Sequence, residues 1–168
     1  MKKSNIVLIG MPGAGKSTIG VVLAKVLGYQ FIDADLVIQE KEQCRLHEII
    51  AQTGTEGFIE IEDRINSSIF AERAVIATGG SVVYGAEAMR HYKEIGNIVY
   101  LQLPYAALEQ RLGDIRGRGV VLRDGQDLRG LYEERVPMYE KYADYIIDEN
   151  ELSVEQTIEK ILELKERF

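Results

Sequence analysis

One eight-residue segment restricts the fold of this chain more than any other. Residues 10–17 read Gly-Met-Pro-Gly-Ala-Gly-Lys-Ser and fill every fixed position of the pattern G-x-x-x-x-G-K-S/T. A run of apolar and β-branched residues at 5–9 precedes the segment and predicts a buried strand. Apolar residues at helical spacing follow it, so a helix should begin near Lys16. A strand, a glycine-rich turn and a helix in this order predict a phosphate-binding loop.

The residue types in this segment suit a nucleotide triphosphate. Glycines let the backbone turn tightly and direct its N–H groups at phosphate oxygens, and the helix N-terminus behind them adds partial positive charge. Lys16 can reach the β- and γ-phosphates, and the hydroxyl of Ser17 can join a Mg²⁺ shell. The alternative is a glycine-rich turn that binds nothing. We predict nucleotide binding by the second half of the segment and the residue after it: Gly13, Ala14, Gly15, Lys16, Ser17 and Thr18.

Composition is that of a soluble globular protein. The chain has 168 residues, of which 46% are hydrophobic and 28% charged, enough to bury a core without disulfides. A formal net charge of −7 argues against nucleic-acid and membrane-surface binding. Cys44 is the single cysteine, which excludes an intramolecular disulfide and a cysteine-based metal site. The sequence shows neither a signal peptide nor a long apolar segment, so we expect a reduced, cytoplasmic protein with one domain over 1–168.

Further strands are predicted after the one at 5–9. They lie at residues 29–32, 74–77, 98–103 and 145–147, and helical spacing occupies much of the chain between them. Alternation of strands and helices after a phosphate loop predicts an α/β fold with a parallel sheet. Ligands bind outside the carboxyl ends of such strands. The phosphate loop, the pair Asp33 and Asp35, and the pair Gly79 and Gly80 should therefore meet at one edge.

Helix boundaries are predicted at several residues. Apolar spacing indicates one helix over 36–51, which Gly54 should end before a second helix begins. Pro137 should kink or end the helix before the last strand. Ser153 and Gln156 form a capping-box pattern, which predicts the start of a C-terminal helix.

Two carboxylates follow the second predicted strand. Asp33 and Asp35 are two residues apart, so their side chains point the same way if the strand continues through them. Beside a triphosphate, one carboxylate can hold Mg²⁺ through water and the other can orient an acceptor hydroxyl and take its proton. The alternative is a solvated Asp-x-Asp turn that caps the next helix. We favour the ligand site because of the adjacent phosphate loop.

Two further features could line a ligand site. Gly79-Gly80 follows a predicted buried strand and lets backbone N–H groups approach a ligand closely, although a plain turn is the alternative. Residues 116–135 hold five arginines on an acidic protein, and their early half is rich in glycine. This segment could be a lid that neutralises charge on a transferred phosphoryl group, or a solvated charged loop. The two histidines lack metal-ligand spacing, and we assign them no role.

Together these residues resemble the shikimate kinase family over nearly the whole chain. The pieces occur in the family's order: the phosphate loop, Asp33-x-Asp35, Gly54 with Phe58, Thr78-Gly79-Gly80, the arginine-rich segment and Glu134-Arg135-x-Pro137-x-Tyr139. The resemblance implies a P-loop kinase fold with a five-stranded parallel sheet and helices on both faces. It also implies an acceptor-binding segment over about 33–62 and a lid over about 112–126. The implied reaction moves the γ-phosphoryl group of ATP to a hydroxyl of shikimate, giving shikimate 3-phosphate, in aromatic amino acid biosynthesis.

The same resemblance implies roles for individual residues. Lys16, Asp35 and Arg118 would act in catalysis, with Asp35 serving the acceptor hydroxyl and Arg118 acting from the lid. Ser17 and Asp33 would hold Mg²⁺. Arg111 and Arg118 would bind the nucleotide. The acceptor would be bound by Asp35, Gly79, Gly80 and Arg135.

The sequence departs from the family pattern in its acceptor-binding part. Family members carry Gly-Glu-x-x-Phe-Arg, whereas this chain has Thr55 in the place of the glutamate and Ile59 in the place of the arginine. That arginine normally shares the substrate carboxylate with the residue that matches Arg135, so half of the clamp is missing. Ser81 replaces a third glycine, and Gly119 replaces the proline of an Arg-Pro pair in the lid. We place Ile59 in the acceptor pocket and expect carboxylate binding to be weaker by about 10- to 150-fold.

Shikimate is the acceptor that we predict, with ATP and Mg²⁺ as the other components and a monomer as the expected state. One alternative is a shikimate-kinase-like enzyme that phosphorylates another polyol or hydroxy acid of the gluconate type, for which Ile59 would form a less anionic pocket. Another is a non-catalytic nucleotide-binding homologue, although the presence of Lys16, Asp33 and Asp35 argues against it. A nucleoside-monophosphate kinase fits the aspartate and Arg135 patterns less well.

Overall fold

The computed structural model describes residues 3–112 and 120–168. Five parallel strands form one sheet in the order β2-β3-β1-β4-β5. The strands are β1 (Asn5–Ile9), β2 (Gln30–Asp33), β3 (Ala74–Ala77), β4 (Gly96–Gln102) and β5 (Tyr145–Asp148). All carboxyl ends therefore lie at the same edge of the sheet, and the predicted α/β fold is confirmed.

Seven α-helices and one short 3₁₀ turn, Val82–Tyr84, connect the strands within the described ranges. The helices are α1 (Lys16–Leu27), α2 (Ala34–Glu42), α3 (Leu46–Asn66), α4 (Ala86–Ile95), α5 (Tyr105–Leu112), α6 (Leu128–Tyr142) and α7 (Val154–Lys165). The capping box at Ser153 and Gln156 opens α7 as predicted. The sequence pattern predicts neither α4 nor the 3₁₀ turn.

Both faces of the sheet are covered by helices. In β1, Ile6 and Leu8 belong to an apolar cluster with residues of α1 and α7, while Val7 and Ile9 belong to a second cluster with residues of α4 and α6. Successive residues of a strand point to opposite faces of the sheet. Because helices cover both faces, all four side chains are buried. A central strand buried on both faces explains the uninterrupted apolar run at 5–9.

The helix predicted over 36–51 is two helices. Gln43 adopts a left-handed conformation with φ of 54° and ends α2, and its N–H group donates to the Gln39 carbonyl. Glu48 then accepts from the backbone N–H of Arg45 at 2.9 Å and helps to start α3. The predicted break at Gly54 is present as a non-helical residue inside α3, with φ of 71°. Glutamine is an uncommon left-handed cap, which is why periodicity alone missed the first break.

Pro137 does not end its helix, because α6 continues to Tyr142. The proline removes one N–H donor from the helix. Leu131 before the proline and Tyr139 after it are buried in the apolar cluster on one face of the sheet, and this packing offsets that loss. Within residues 3–112 and 120–168, no helix combines the length and the hydropathy needed to cross a membrane.

Candidate active site

The phosphate loop between β1 and α1 requires its glycines. Gly10, Gly13 and Gly15 have φ of 150°, 82° and 88°. A Cβ atom at Gly10 would lie 2.7 Å from the Leu101 carbonyl oxygen, and one at Gly13 would lie 2.9 Å from Cδ2 of Leu112. The loop therefore closes tightly over the carboxyl end of the sheet and leads into the N-terminus of α1, a position that favours anions.

Lys16 is buried at the start of α1 and turns back onto its own loop. Its Nζ donates to the carbonyl oxygens of Gly10 at 2.7 Å and Met11 at 2.8 Å. Burial lowers the pKa of Lys16 to about 8, an effect that Arg135 increases and the negative charge of Asp35 opposes. The ammonium group is thus still mostly charged near neutral pH, and loop carbonyls hold it beside the position that phosphates would occupy.

Asp33 ends β2 and contacts the phosphate loop. Its Oδ2 accepts from the hydroxyl of Ser17 at 3.0 Å, and its Oδ1 accepts from the backbone N–H groups of Asp35 at 3.0 Å and Leu36 at 3.3 Å. The side chain therefore caps α2 and also faces the loop. The capping interpretation is observed, and the role of Asp33 towards Mg²⁺ stays a prediction. The condition that the strand continues through both aspartates is not met. The strand ends at Asp33, and Asp35 lies in the first turn of α2.

Asp35 points into the cavity beside the loop. Burial raises the pKa of its carboxyl group to about 6, and the negative charge of Asp33 raises it further while Lys16 opposes both. The group is mostly ionised near neutral pH and can accept a proton. A raised pKa brings such a base closer to the working pH, which suits proton abstraction from a hydroxyl.

A single cavity of about 310 Å³ joins the predicted nucleotide and acceptor parts of the site. The phosphate loop forms one end, and the turn over 78–81 with Arg135 forms the other. Between them the walls are apolar and come from Leu46, Phe58, Leu112, Val120 and Val121. The structure thus brings together Gly13, Gly15, Lys16, Ser17, Thr18, Asp35, Gly79, Gly80 and Arg135.

Gly79 and Gly80 allow four side chains, among them that of Glu62, to approach the backbone. A Cβ atom at Gly79 would lie 2.8 Å from Oδ1 of Asp35, and one at Gly80 would lie 2.9 Å from Nη1 of Arg135 and 2.8 Å from Cδ of Pro12. A larger residue at either position would therefore displace a side chain of the cavity. The predicted approach of a ligand to the backbone of the diglycine stays a prediction.

Arg135 is 1% exposed and held on several sides. Its Nη2 donates to the Val121 carbonyl at 2.9 Å and its Nε to the hydroxyl of Tyr84 at 3.4 Å, while the guanidinium lies 5.3 Å from the centre of the Tyr84 ring. The hydroxyl of Tyr139, four residues along α6, donates to the Gly80 carbonyl at 2.6 Å. α6 therefore fixes both the cation and the turn that faces it.

The other predicted positions are less central. Ala14 is fully buried behind the loop, and Nη1 of Arg111 donates to the Gly13 carbonyl at 3.3 Å. Ile59 is half-buried, and the cavity lining among the described residues includes its neighbour Phe58 but not Ile59. Its place in the acceptor pocket stays a prediction. Arg118 lies outside the described residues, as does most of the early part of the predicted lid over 112–126.

Sequence reasoning missed two buried carboxyl groups near the cavity. Glu62 of α3 is 2% exposed and accepts from the hydroxyl of Ser81 at 2.5 Å. Its spacing of four residues from Phe58 and three from Ile65 places it on the buried face of α3, a signal that the sequence does contain. Glu149 follows β5 and is 4% exposed, and burial raises its pKa to about 7 although Arg111 and Lys16 oppose the shift.

Comparison with known proteins places this site in a family. The sequence model of the family described as shikimate kinase matches residues 12–165. A shikimate kinase of Thermodesulfovibrio yellowstonii is 37% identical over 98% of this chain and 96% of its own, and one of Actinobacillus succinogenes is 35% identical over 99% and 98%. A solved shikimate kinase from Acinetobacter baumannii, in complex with shikimate, matches with a TM-score of 0.87 and 32% identity over 99% of this chain and 94% of that one. The chain belongs to the shikimate kinase family.

Proposed function

We propose that this protein transfers the γ-phosphoryl group of ATP to a hydroxyl of shikimate and forms shikimate 3-phosphate. The observation that carries the proposal is the single cavity in which the phosphate loop, Asp35 and Arg135 all take part. The loop supplies a site for a triphosphate, Asp35 a base, and Arg135 a cation for an acidic acceptor. Membership of the shikimate kinase family supports this acceptor, as does the related structure that holds it.

Nucleotide binding would use the phosphate loop and the first turn of α1. Backbone N–H groups of the loop would bind the phosphates, and Lys16 would exchange its two carbonyl partners for phosphate oxygens. The loss of these internal bonds would be offset by the new ones, because charged phosphate oxygens are better acceptors than carbonyls. Arg111, beside Gly13, would bind on the nucleotide side.

Mg²⁺ fits the oxygen atoms that the loop presents. The Ser17 hydroxyl and the Asp33 carboxylate lie 3.0 Å apart, and both are the hard oxygen ligands that this ion prefers together with water and phosphate. We propose that these two residues hold the ion, Asp33 through water. When bound, the ion would neutralise charge on the β- and γ-phosphates.

Phosphoryl transfer would follow from the position of Asp35. The acceptor hydroxyl oxygen attacks the γ-phosphorus, the bond from that phosphorus to the bridging oxygen breaks, and ADP leaves. The hydroxyl proton passes to Asp35, whose carboxylate is mostly ionised near neutral pH. Arg135 would bind the acceptor carboxylate and fix the orientation of the hydroxyl, with Gly79 and Gly80 against the ring. Arg118 would neutralise charge from the lid in the transition state.

The wider setting is also part of the proposal. We place the protein in the reducing cytoplasm, where a chain with one cysteine is at no disadvantage, and we take it to be a monomer with one domain. One cavity among the described residues joins the predicted nucleotide and acceptor sites, so the proposed chemistry needs no second subunit.

An ATP-consumption assay with a panel of acceptors tests the function. Shikimate should give the highest kcat/KM, and gluconate and related hydroxy acids should give far less. The Asp35→Asn protein serves as the inactive control for contaminating ATPases. Faster turnover of gluconate than of shikimate would overturn the choice of acceptor, and the absence of turnover with every acceptor would favour a non-catalytic nucleotide-binding protein.

A further inference from the structure

Glu62 lies directly behind the turn that faces the acceptor, and no step described above uses it. Its Oε2 accepts from the hydroxyl of Ser81, the residue that follows Gly79 and Gly80. The turn is also held from the other side, where the Gly80 carbonyl accepts from Tyr139.

The second oxygen of Glu62 has no hydrogen-bond partner among the described residues. This atom, Oε1, is buried and lies 2.6 Å from the point where a Cβ of Gly79 would stand. Oδ1 of Asp35 lies 2.8 Å from the same point. The missing side chain of Gly79 is thus what allows two carboxyl groups to approach each other beside the acceptor. Two ionised carboxylates this close, one of them buried away from solvent, would repel strongly.

The surroundings of Glu62 favour its neutral form. Burial raises the pKa of Glu62 to about 8, and the charges of Asp35 on α2 and Asp63 on α3 raise it further. The Ser81 hydrogen bond and Arg135 on α6 act in the opposite direction. The groups that face it also include two buried phenols, Tyr92 of α4 and Tyr139 of α6. Near neutral pH, Glu62 therefore keeps its proton.

We propose that Glu62 is a positioning residue for the acceptor. As a neutral carboxylic acid bonded to Ser81, it fixes the turn that carries Gly79 and Gly80 and adds no negative charge beside that turn. This inference rests on the proposed function. If Glu62 lost its proton, its charge would attract Arg135 and compete with the carboxylate of the acceptor. Acceptor affinity should therefore fall when Glu62 ionises, while ATP affinity should not.

Steady-state kinetics over about pH 6 to pH 9 test the inference with shikimate and Mg·ATP. In the wild type, KM for shikimate should rise as pH passes about 8, where Glu62 loses its proton. Glu62→Gln, which is permanently neutral and keeps a partner for Ser81, should not show this rise. At neutral pH Glu62→Ala should raise KM for shikimate about tenfold, Glu62→Gln should recover most of that loss, and KM for ATP should change less than about twofold in both. Glu60→Gln, at an exposed position on the same helix, is the matched control.

Ser81 gives a second measurement that does not depend on the folding of Glu62→Ala. Its hydrogen bond lowers the pKa of Glu62, so Ser81→Ala should move the alkaline rise of KM to higher pH. Ser81→Gly should shift it in the same direction, because both variants lack the hydroxyl. The inference would be overturned if KM for shikimate rose at alkaline pH in Glu62→Gln as much as in the wild type. Equal increases of KM for shikimate and for ATP in Glu62→Ala would also overturn it.

A failure of the proposed function would be seen separately. If the wild type does not phosphorylate shikimate, the choice of acceptor is wrong, and the protonation of Glu62 is then decided by urea unfolding. The wild-type midpoint should fall as pH rises from about 5 to about 8, because the unfolded chain releases the Glu62 proton in this range and the folded chain retains it. Glu62→Gln should show a smaller fall. An equal fall in both proteins would reject the neutral acid.

Discussion

The guanidinium group of Arg135 donates from Nη2 to the carbonyl oxygen of Val121 at 2.9 Å. This bond joins the proposed acceptor cation to the chain that follows residue 119. The Thr55 hydroxyl donates to the next carbonyl, that of Leu122, at 3.1 Å, so α3 holds the same segment. An acceptor carboxylate that binds Arg135 therefore binds next to the later part of the predicted lid.

Removal of the Arg135 guanidinium should weaken acceptor binding selectively. We expect Arg135→Ala to raise KM for shikimate about 10- to 150-fold, the range of one charge-assisted hydrogen bond, and to change KM for ATP far less. Arg135→Lys should recover only part of the loss, because an ammonium group lacks the planar fork that binds a carboxylate. Arg129→Ala, at an exposed position on the same helix, is the control. Equal losses for both substrates would indicate a general packing defect.

Lys16 should be essential for phosphoryl transfer. Lys16→Ala removes the cation that loop carbonyls hold beside the phosphate site, so kcat should fall to the background of the assay. Lys25→Ala, in the exposed last turn of the same helix, should behave as wild type. Rates should be measured by coupled ADP release under saturating shikimate. A near-normal kcat in Lys16→Ala would exclude a P-loop kinase mechanism for this chain.

Substitution of Asp33 and substitution of Asp35 should affect different steps, the first Mg²⁺ binding and the second phosphoryl transfer. Asp33→Asn weakens the oxygen pair with Ser17, so a higher Mg²⁺ concentration should be needed to reach half-maximal rate. Asp35→Asn keeps Mg·ATP binding but lacks the proton acceptor, so kcat should fall by about 10²- to 10⁴-fold at every Mg²⁺ concentration. Each variant is the control for the other in a Mg²⁺ titration. Identical dependence on Mg²⁺ in the two proteins would show that the roles are wrongly assigned.

The site could be predicted where chemistry is local in sequence. The phosphate loop is determined by glycines that need positive φ and by a lysine and a serine in fixed order, so residues 10–17 were placed correctly. Gly79 was identified as a place of close approach, but the sequence does not show that the approaching atoms belong to Asp35 and Glu62. That contact joins segments distant in sequence, and periodicity shows only that Glu62 shares the buried face of α3.

Helix boundaries were harder to predict than strands. Gln43 ends α2 in a left-handed conformation that a glutamine does not predict. Pro137 carries a strong local signal against helix, yet the buried side chains of α6 override it. Tertiary packing explains the case of Pro137, and packing cannot be seen in a local pattern.

Glu149 should make stability depend on pH. Burial raises the pKa of its carboxyl group from 4.5 to about 7, so between these values the folded chain holds a proton that the unfolded chain has lost. Stability should therefore fall as pH rises through this window, by at most about 1.4 kcal/mol per pH unit. Glu149→Gln should reduce the slope, whereas Glu159→Gln, which is exposed, should not. Urea unfolding at several pH values measures both, and an unchanged slope in Glu149→Gln would mean that this carboxyl group is ionised in the folded state.

Ile59 is the position where the sequence departs furthest from its family, and a substitution there tests how the acceptor is held. Ile59 is half-buried on α3 next to Phe58, which lines the cavity, and an arginine side chain is long enough to extend beyond the isoleucine position. If Arg135 alone binds the shikimate carboxylate, Ile59→Arg should supply a second charge-assisted bond and lower KM for shikimate by up to about 10- to 100-fold.

The matched control is Ile59→Gln, which adds a polar side chain without charge and should leave KM above that of Ile59→Arg. KM is measured for shikimate at saturating Mg·ATP in the wild type and both variants. An unchanged or raised KM in Ile59→Arg would count against a shikimate carboxylate at this position, because an added cation with no anion beside it is desolvated without compensation. The gluconate-type acceptor would then become the better hypothesis.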